Sequence, residues 1–176
     1  MTKKIKIKYL IVFFLLPLIF SKCQENSDGD FVEPITTYEK IKGVWNLSSL
    51  VLKDDYASSL DLETTEVNLT NLFNFNSLQL TLNVDENNQP LDYVVNGDIP
   101  KLFPTSGYWK LSSSFPTTNL EPALIHLYSD VQKTNKIGEL NLTAIPSGNS
   151  NMEIRLVRSS NKIPFATYIF KFFRSN

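Results

Sequence analysis

From Gly43 onwards, apolar and polar residues alternate with a period of two along short runs. In Asn76–Val84, for example, Leu78, Leu80 and Leu82 alternate with polar residues, which is typical of a strand with one buried face. Polar turns containing Asn, Ser, Pro and Gly separate the runs. The pattern predicts eight strands: Gly43–Lys53, Asn76–Val84, Leu91–Asn96, Gly107–Ser113, Ala123–Ser129, Lys136–Ile145, Met152–Arg158 and Phe165–Phe173.

The connections between these strands favour an antiparallel arrangement. Parallel strands need long crossovers, usually helical, and no such segment separates the runs. A meander of eight strands that closes on itself removes its exposed edges. A short helix over Tyr38–Lys42 precedes it, since Thr36 or Thr37 can cap its start and Gly43 can end it. We therefore predict an all-β fold, an eight-stranded antiparallel up-and-down barrel with a short N-terminal helix.

Residues 1–22 have the features of a bacterial signal peptide. Lysines precede Tyr9–Phe20, an apolar run of 12 residues, whereas a membrane-spanning helix needs roughly 20. The next residues, Ser21-Lys22-Cys23, resemble a lipobox, where lipoprotein signal peptidase cuts before a cysteine whose sulfur carries diacylglycerol. Lys22 departs from that pattern, which prefers Gly, Ala or Ser. We expect lipidation of Cys23, and the alternative is an uncleaved leader with an unmodified cysteine.

Residues 23–35 are expected to form a lipidated flexible tether, because Gln24–Asp30 contains no apolar residue. This acidic stretch also resembles the export signal that sends lipoproteins of some glycan-foraging Gram-negative bacteria to the cell surface. The expected location is therefore the outer membrane, lipid-anchored, at the cell surface. The alternative is a plain linker on a protein that stays on the periplasmic leaflet. The barrel domain then occupies residues 36–176.

Charge and composition exclude several classes of protein. The first 23 residues contain five lysines and no acid, and the remainder carries 12 basic against 18 acidic residues. Nucleic-acid binding is disfavoured, because it requires basic surface to neutralise phosphates. A single Cys excludes an internal disulfide, and one Cys with one His excludes the common zinc sites. We expect no metal and no cofactor.

Catalytic groups are scarce in the sequence. His126 is the only candidate base for a nucleophilic triad, and no G-x-S-x-G motif is present. Glycoside hydrolysis needs only two carboxylates, and acids cluster in residues 54–66, but acids in a polar loop are normally just solvated. The sequence therefore predicts a protein that is not an enzyme.

Gly43-Val44-Trp45, which follows a short helix, resembles the Gly-x-Trp signature of the lipocalins. The resemblance implies a lipocalin-like barrel whose Trp45 closes one end and packs against a cation of the last strand, Lys171 or Arg174. Residues 72–83 and 103–109 also resemble a family of lipocalin-like lipoproteins of unknown function from glycan-foraging bacteria, often encoded near polysaccharide-uptake systems. That resemblance covers roughly residues 36–174 and carries no catalytic residues.

The Gly-x-Trp-x-Leu-Ser-Ser motif occurs twice, beginning at Gly43 and at Gly107. Glycine lets the backbone turn into a strand, and Trp45 and Trp109 would plug the barrel rim. We expect recurrence of one local geometry at both barrel-closing motifs, because the flanking sequences do not support a duplicated half-barrel.

Two hypotheses for function follow from the predicted barrel. In the first, it is an accessory or binding module that holds a glycan or small apolar ligand or docks on an outer-membrane uptake complex. In the second, it is a structural or protein-interaction envelope lipoprotein whose barrel is filled. A ligand barrel should enclose about 300 Å³ or more, and a filled barrel should not. The aromatic residues expected to contact a ligand are Tyr93, Phe103, Tyr108 and Tyr128.

Overall fold

A computed structural model describes residues 33–63, 65–116, 121–147 and 151–175. The predicted signal peptide, the lipidation site Cys23 and the acidic stretch after it lie outside these residues. The barrel belongs to the compact unit that begins at Ile35.

Nine strands, two short α-helices and one 3₁₀ turn make up the described fold. The eight predicted strands are all present, with ends shifted by a few residues. In chain order, the elements are α1 (Thr37–Ile41), β1 (Gly43–Asp54), α2 (Asp55–Ser59), β2 (Glu66–Asn68), a 3₁₀ turn (Phe75–Ser77), β3 (Gln79–Val84), β4 (Pro90–Asn96), β5 (Ser106–Leu111), β6 (Ala123–Tyr128), β7 (Lys136–Ala144), β8 (Met152–Ser160) and β9 (Ile163–Arg174).

The sheet closes into the predicted eight-stranded antiparallel barrel. From β3 to β9 each strand pairs with the next along the chain, and β1 closes the ring by pairing with both β3 and β9. The predicted fold class is therefore confirmed. β2 is an additional strand of three residues that pairs only with Val51–Lys53 of β1.

Simple alternation does not hold along the whole of β1. Alternation that continued from Trp45 and Leu47 would put Ser49 and Val51 on the same face, and this expectation is wrong beyond Leu47. In the structure, the register with β9 shifts between Leu47 and Ser49, and Leu50 becomes fully buried. A β-bulge adds one residue to the strand and therefore exchanges its two faces. The extra residue is Ser48, whose Oγ donates a hydrogen bond to the Lys171 carbonyl oxygen at 2.9 Å.

α1 covers one end of the barrel. It begins one residue earlier than predicted, at Thr37, with a capping box in which the Glu39 amide donates to Thr36 Oγ1 and the Thr36 amide donates to Glu39 Oε2. The Leu111 amide donates a hydrogen bond to Tyr38 Oη at 3.1 Å, which ties the helix to β5. We call the end that α1 covers the closed end. β1 starts and β9 finishes at this end.

No helix among the described residues has the length and apolar character needed to cross a membrane.

Candidate functional site

Trp45 closes the barrel beneath α1. Its side chain is fully buried, and its Nε1–H donates a hydrogen bond to the Ile41 carbonyl oxygen at 2.7 Å. The guanidinium carbon of Arg174 lies 5.0 Å from the centroid of the Trp45 ring, within the range of a cation–π contact. Of the two cations predicted for this contact, Arg174 therefore makes it.

Trp109 occupies a comparable position on β5. It is also fully buried, its Nε1–H donates to the Asn83 carbonyl oxygen at 2.9 Å, and its ring centroid lies 5.4 Å from that of Tyr38 on α1. Both tryptophans of the repeated motif thus point inward beneath the same helix, and each donates to a main-chain carbonyl.

The two glycines of the motif are needed for different reasons. Gly43 has a φ of +105°, which side-chain-bearing residues rarely adopt, although the space around it is open. At Gly107, a Cβ would clash with the Tyr128 carbonyl oxygen and would lie 3.1 Å from the Tyr93 ring. The absence of a side chain at Gly107 therefore allows β5 to approach β6 closely, and it also leaves room for the Tyr93 ring beside Gly107.

Packed side chains fill the barrel interior of the described residues. Its largest fully buried members are Trp45, Trp109, Tyr93, Phe170 and Phe172. A cavity among the core side chains, next to Phe75, Phe103 and Phe170, has a volume of about 10 Å³, close to the smallest space that can hold one water molecule. This cavity is far smaller than the pocket of about 300 Å³ or more that a small-molecule site requires.

Two of the predicted ligand contacts lie on the inside of this filled barrel. Tyr93 is 1% exposed and its hydroxyl has no hydrogen-bond partner within the described residues. Burial raises the pKa of Tyr93 to about 12. Phe103 is half-buried and packs edge-on against Phe170, with ring centroids 5.8 Å apart, beside the small cavity. Tyr93 is therefore inaccessible to a ligand while the core stays packed, whereas Phe103, in the loop between β4 and β5, lines the small cavity and stays a predicted ligand contact.

The other two predicted contacts lie on the outer face. Tyr108 and Tyr128 are direct register partners across β5 and β6, and both are half-buried. Their strand neighbours Trp109 and Leu127 are buried, so the two tyrosines face away from the interior. The pairing thus brings Tyr108 and Tyr128 side by side, with Asp92 opposite Tyr108 on the adjacent strand.

His126 lies on the same outer face as Tyr128, and their ring centroids are 6.5 Å apart. Its Nδ1 lies 3.1 Å from Oε2 of Glu139, which also contacts Lys136. His126 therefore belongs to a cross-strand cluster with Glu139 and Lys136 on the outer face of β6 and β7. Nothing in this arrangement places a Ser, Thr or Cys nucleophile beside the imidazole among the described residues.

The first acids of residues 54–66 have structural roles. Asp54 Oδ1 accepts a hydrogen bond from the Ala57 amide at 2.8 Å and caps α2. Asp55 Oδ2 accepts from Thr167 Oγ1 at 2.6 Å, and Asp55 Oδ1 lies 3.7 Å from Lys53 Nζ. The described residues contain no group of three or more His, Cys, Asp or Glu side chains that could hold a metal ion.

A wider depression of about 310 Å³ lies where β6 begins and β7 ends, and it is open to solvent. Its lining includes Pro116 and Glu121, which flank residues 117–120, outside the described part of the chain. We assign no ligand to it.

Sequence reasoning missed a group of exposed apolar side chains at the end of the barrel opposite α1. Periodicity could not find them, because they lie in the loops and at the strand ends, where no alternation applies. A usable signal was present in residues 54–66, which contain Leu60 and Leu62 among acids in a segment read as polar loop. We call this group the apolar crown, and its members are Tyr56, Leu60, Leu62, Phe73, Ile163 and Phe165.

The comparisons with known proteins identify one family. A family model described as a domain of unknown function (DUF5004) matches residues 21–173, which is most of the chain. No curated protein and no solved structure matches the sequence. The closed eight-stranded barrel fits a lipocalin-like fold for this domain.

Proposed function

The chain belongs to the DUF5004 family, and we propose that it is a lipid-anchored, non-enzymatic envelope lipoprotein that acts through the outside of a filled barrel. The observation that carries this proposal is the packed interior, with its cavity of about 10 Å³. Of the two hypotheses from the sequence, the structural or protein-interaction lipoprotein is therefore favoured over a barrel that encloses a small ligand.

A filled barrel suits a protein that presents a rigid surface. The closed ring satisfies the backbone groups of eight strands and leaves few edges exposed. The hydrophobic core within it stabilises the positions of the outward-facing side chains. Binding then depends on exposed residues rather than on an opening of the barrel.

The lipid anchor and the location are parts of the same proposal. The leader and the Ser21-Lys22-Cys23 sequence support lipidation of Cys23 and attachment to the outer membrane. The acidic tether supports display at the cell surface, where an uptake complex is a partner to test. The non-enzymatic assignment is supported by the structural roles of Asp54 and Asp55 and by the surface contacts of His126.

A glycan remains a second candidate ligand, and one observation favours it. Tyr108 and Tyr128 form a half-buried aromatic pair on the outer face, flanked by polar side chains. Aromatic rings with adjacent polar groups suit the apolar faces and hydroxyls of a sugar. If a glycan binds there, Tyr108→Ala should weaken binding to immobilised polysaccharide while leaving the melting curve unchanged. Phe173→Ala is the control, since Phe173 is an exposed aromatic elsewhere on the barrel.

The filled barrel is tested by what the protein carries when it is purified. The full chain should be extracted from its own membranes, denatured in organic solvent and analysed by mass spectrometry. We expect no stoichiometric small molecule apart from the lipid on Cys23. A fluorescent fatty acid added to the protein should remain fully accessible to quenchers in solution. An enclosed site would protect the bound probe from quenching. A stoichiometric apolar compound that is lost when core residues are changed would overturn the proposal.

A further inference from the structure

The apolar crown lies far from the closed end of the barrel. β1 has 12 residues and runs from Gly43, next to α1, to Asp54, where α2 begins. At about 3.3 Å per residue, this strand is at most about 40 Å long, and its tilt in the barrel makes the separation of the two ends somewhat smaller. The chain enters the barrel through α1 at the closed end, so the crown is presented at the opposite end.

The crown contains six of the fourteen large apolar side chains that are exposed among the described residues. Phe73 is 68% exposed, Ile163 67% and Tyr56 64%, and Val67 and Leu72 nearby are also exposed. The remaining exposed apolar residues lie at other places on the barrel. Single exposed apolar residues are normal, whereas a group at one end is typical of an interaction surface.

Hydrogen bonds fix the crown segments to the barrel. The Ala57 carbonyl oxygen accepts from the amides of both Leu60 and Leu62, which folds this loop back onto α2. Thr167 Oγ1 donates to Asp55 Oδ2, which joins α2 to β9 just after Phe165. The exposed side chains are therefore held in place by ordered backbone and are available for binding without a large ordering cost.

Phe73 is displayed at a cost in backbone strain. Its φ is +54°, a left-handed conformation that is rare for a bulky residue. The next residue, Asn74, has a φ of +59°. Its partner ring, Phe75, is buried, and the two ring centroids are 6.3 Å apart. Strain of this kind persists where the surrounding structure imposes it, and it is concentrated at functional sites.

The free edge of the sheet, β2, pairs with Val51–Lys53, just before the segment that contains Tyr56, Leu60 and Leu62. Among the described residues, β2 pairs on one side only, and all three of its residues are exposed. An unpaired strand edge is a site at which another chain can add hydrogen bonds. Because β2 is only three residues long, this edge supplements the apolar contacts and does not replace them.

The charges around the crown determine the chemistry of its partner. Residues 54–66 contain five acids and no base. The bases nearest to them at this end are Lys53, which faces Glu66 across β1 and β2, and the exposed Arg158 and Lys162 around the turn between β8 and β9. Asp61, Glu63 and Glu66 are exposed, and none of them forms an ion pair within the described residues. Because the acids outnumber the bases, a second copy of this surface and an anionic lipid bilayer are both disfavoured. A surface with lysine or arginine residues would be attracted.

We infer that the apolar crown docks a partner protein whose contact surface has an apolar centre and a rim of Lys and Arg residues. This inference rests on the proposed function, because it names the kind of partner that the outside of the filled barrel serves. Apolar contacts with Phe73 and its neighbours supply affinity, and the three exposed acids favour a basic partner over other proteins.

The test is photo-crosslinking in cells that produce the full chain. A photoreactive phenylalanine analogue replaces Phe73 in one strain and Phe173, an exposed aromatic outside the crown, in another. We expect one dominant protein adduct from position 73 that is missing from position 173. The cross-linked peptide of the partner should contain apolar residues and lysine or arginine.

Charge reversal decides whether the acids matter. The Glu63→Lys, Glu66→Lys double variant should lower the yield of this adduct about tenfold, and Glu63→Gln, Glu66→Gln should lower it less. Both positions are exposed, and unchanged circular dichroism spectra would verify that the double variant is folded. If the double variant unfolds, Asp61→Lys replaces it, because Asp61 is also exposed.

An adduct with a second copy, with lipid alone or with an acidic peptide would overturn the inference. So would the absence of an adduct or indifference to charge reversal.

The two proposals can fail separately. If the barrel proves free of small ligands but position 73 gives no adduct, the proposed function stands and the crown is not its docking surface. If an enclosed ligand is found, the proposed function fails, whatever the cross-linking shows.

Discussion

The guanidinium group of Arg174 lies over the ring of Trp45, with 5.0 Å between the guanidinium carbon and the ring centroid. Arg174 Nη2 also donates a hydrogen bond to the Lys40 carbonyl oxygen at 2.7 Å. Arg174 is the last residue of β9, Trp45 lies near the start of β1, and Lys40 belongs to α1. This one side chain therefore connects the strands that close the ring to the helix that covers it.

Trp45→Ala should strongly destabilise the barrel. The substitution removes a fully buried ring and its hydrogen bond to Ile41, and it leaves a cavity beneath α1. Replacement of a buried Trp or Phe by Ala typically costs about 3–5 kcal/mol. Trp109→Ala should have a comparable effect, because Trp109 is equally buried. Denaturant unfolding followed by circular dichroism measures the loss.

Tyr108→Ala is the matched control for this experiment. Tyr108 precedes Trp109 but lies half-buried on the outer face, so its loss should cost about 1 kcal/mol or less. If Trp45→Ala unfolded like the parent while Tyr108→Ala collapsed, the inward and outward faces assigned to these strands would be incorrect.

Alternation predicted the strands well, because burial of one face imposes a period of two on the residues of each strand. Alternation also accounts for the half-buried outer position of Tyr108 beside the inward-facing Trp109. It failed in β1, since the bulge at Ser48 inserts a residue whose effect on pairing is not encoded in the hydrophobic pattern. It also could not find β2, which is short and exposed on all three residues.

The candidate site was less predictable than the fold. Tyr93 and Tyr128 both suggest ligand contacts from residue type alone. The register of β4, β5 and β6 buries Tyr93 and places the register partners Tyr108 and Tyr128 half-buried on the outer face. Whether the barrel is filled depends on how large side chains from different strands meet, and a single sequence does not specify those contacts. Exposure of the crown likewise depends on how loops fold against strand ends.

Gly107→Ala should destabilise the protein by about 1–3 kcal/mol, the usual range for added atoms in a packed position. A methyl group there meets the Tyr128 carbonyl oxygen, which belongs to the backbone of β6 and cannot rotate away. Thermal unfolding measures the change. Gly138→Ala is the control, because its added Cβ would lie 3.4 Å from the nearest Leu127 atom, an ordinary contact. Equal melting of the two variants would show that β5 and β6 are not so close at Gly107.

Cys23→Ala should release the protein from membranes if lipid on this cysteine is its anchor. In the proposed lipoprotein, a diacylglycerol group on Cys23 would supply the hydrophobic attachment to the membrane. Metabolic labelling with palmitate should mark the parent and leave the variant unlabelled, and the variant should move to the soluble fraction. Cys23→Ser serves as a second substitution with the same expected result. Unchanged labelling of both variants would exclude lipidation at this position.

Tyr93 should make the barrel sensitive to alkaline pH. Burial raises the pKa of Tyr93 to about 12 in the folded protein, whereas an exposed tyrosine titrates at about 10. Between these values the unfolded chain loses this proton and the folded protein keeps it, so ionisation favours unfolding. The contribution of Tyr93 is therefore fully present below about pH 10 and is lost as the pH rises towards about 12. The free energy of unfolding, measured by denaturant titration at each pH, should fall across this window.

Tyr93→Phe isolates this effect, because it removes the titrating hydroxyl and keeps the ring against Gly107. The hydroxyl has no hydrogen-bond partner within the described residues, so near neutral pH its removal should leave stability unchanged or increase it. Above about pH 10 the variant should lose less stability than the parent. The loss should not vanish, because burial also raises the pKa of Tyr38. Tyr38→Phe should differ at neutral pH, since Tyr38 Oη accepts a hydrogen bond from the Leu111 amide. If Tyr93→Phe were destabilising at neutral pH and kept the full alkaline loss, the Tyr93 hydroxyl would have a partner or contact with solvent, and the interior would not be packed as described.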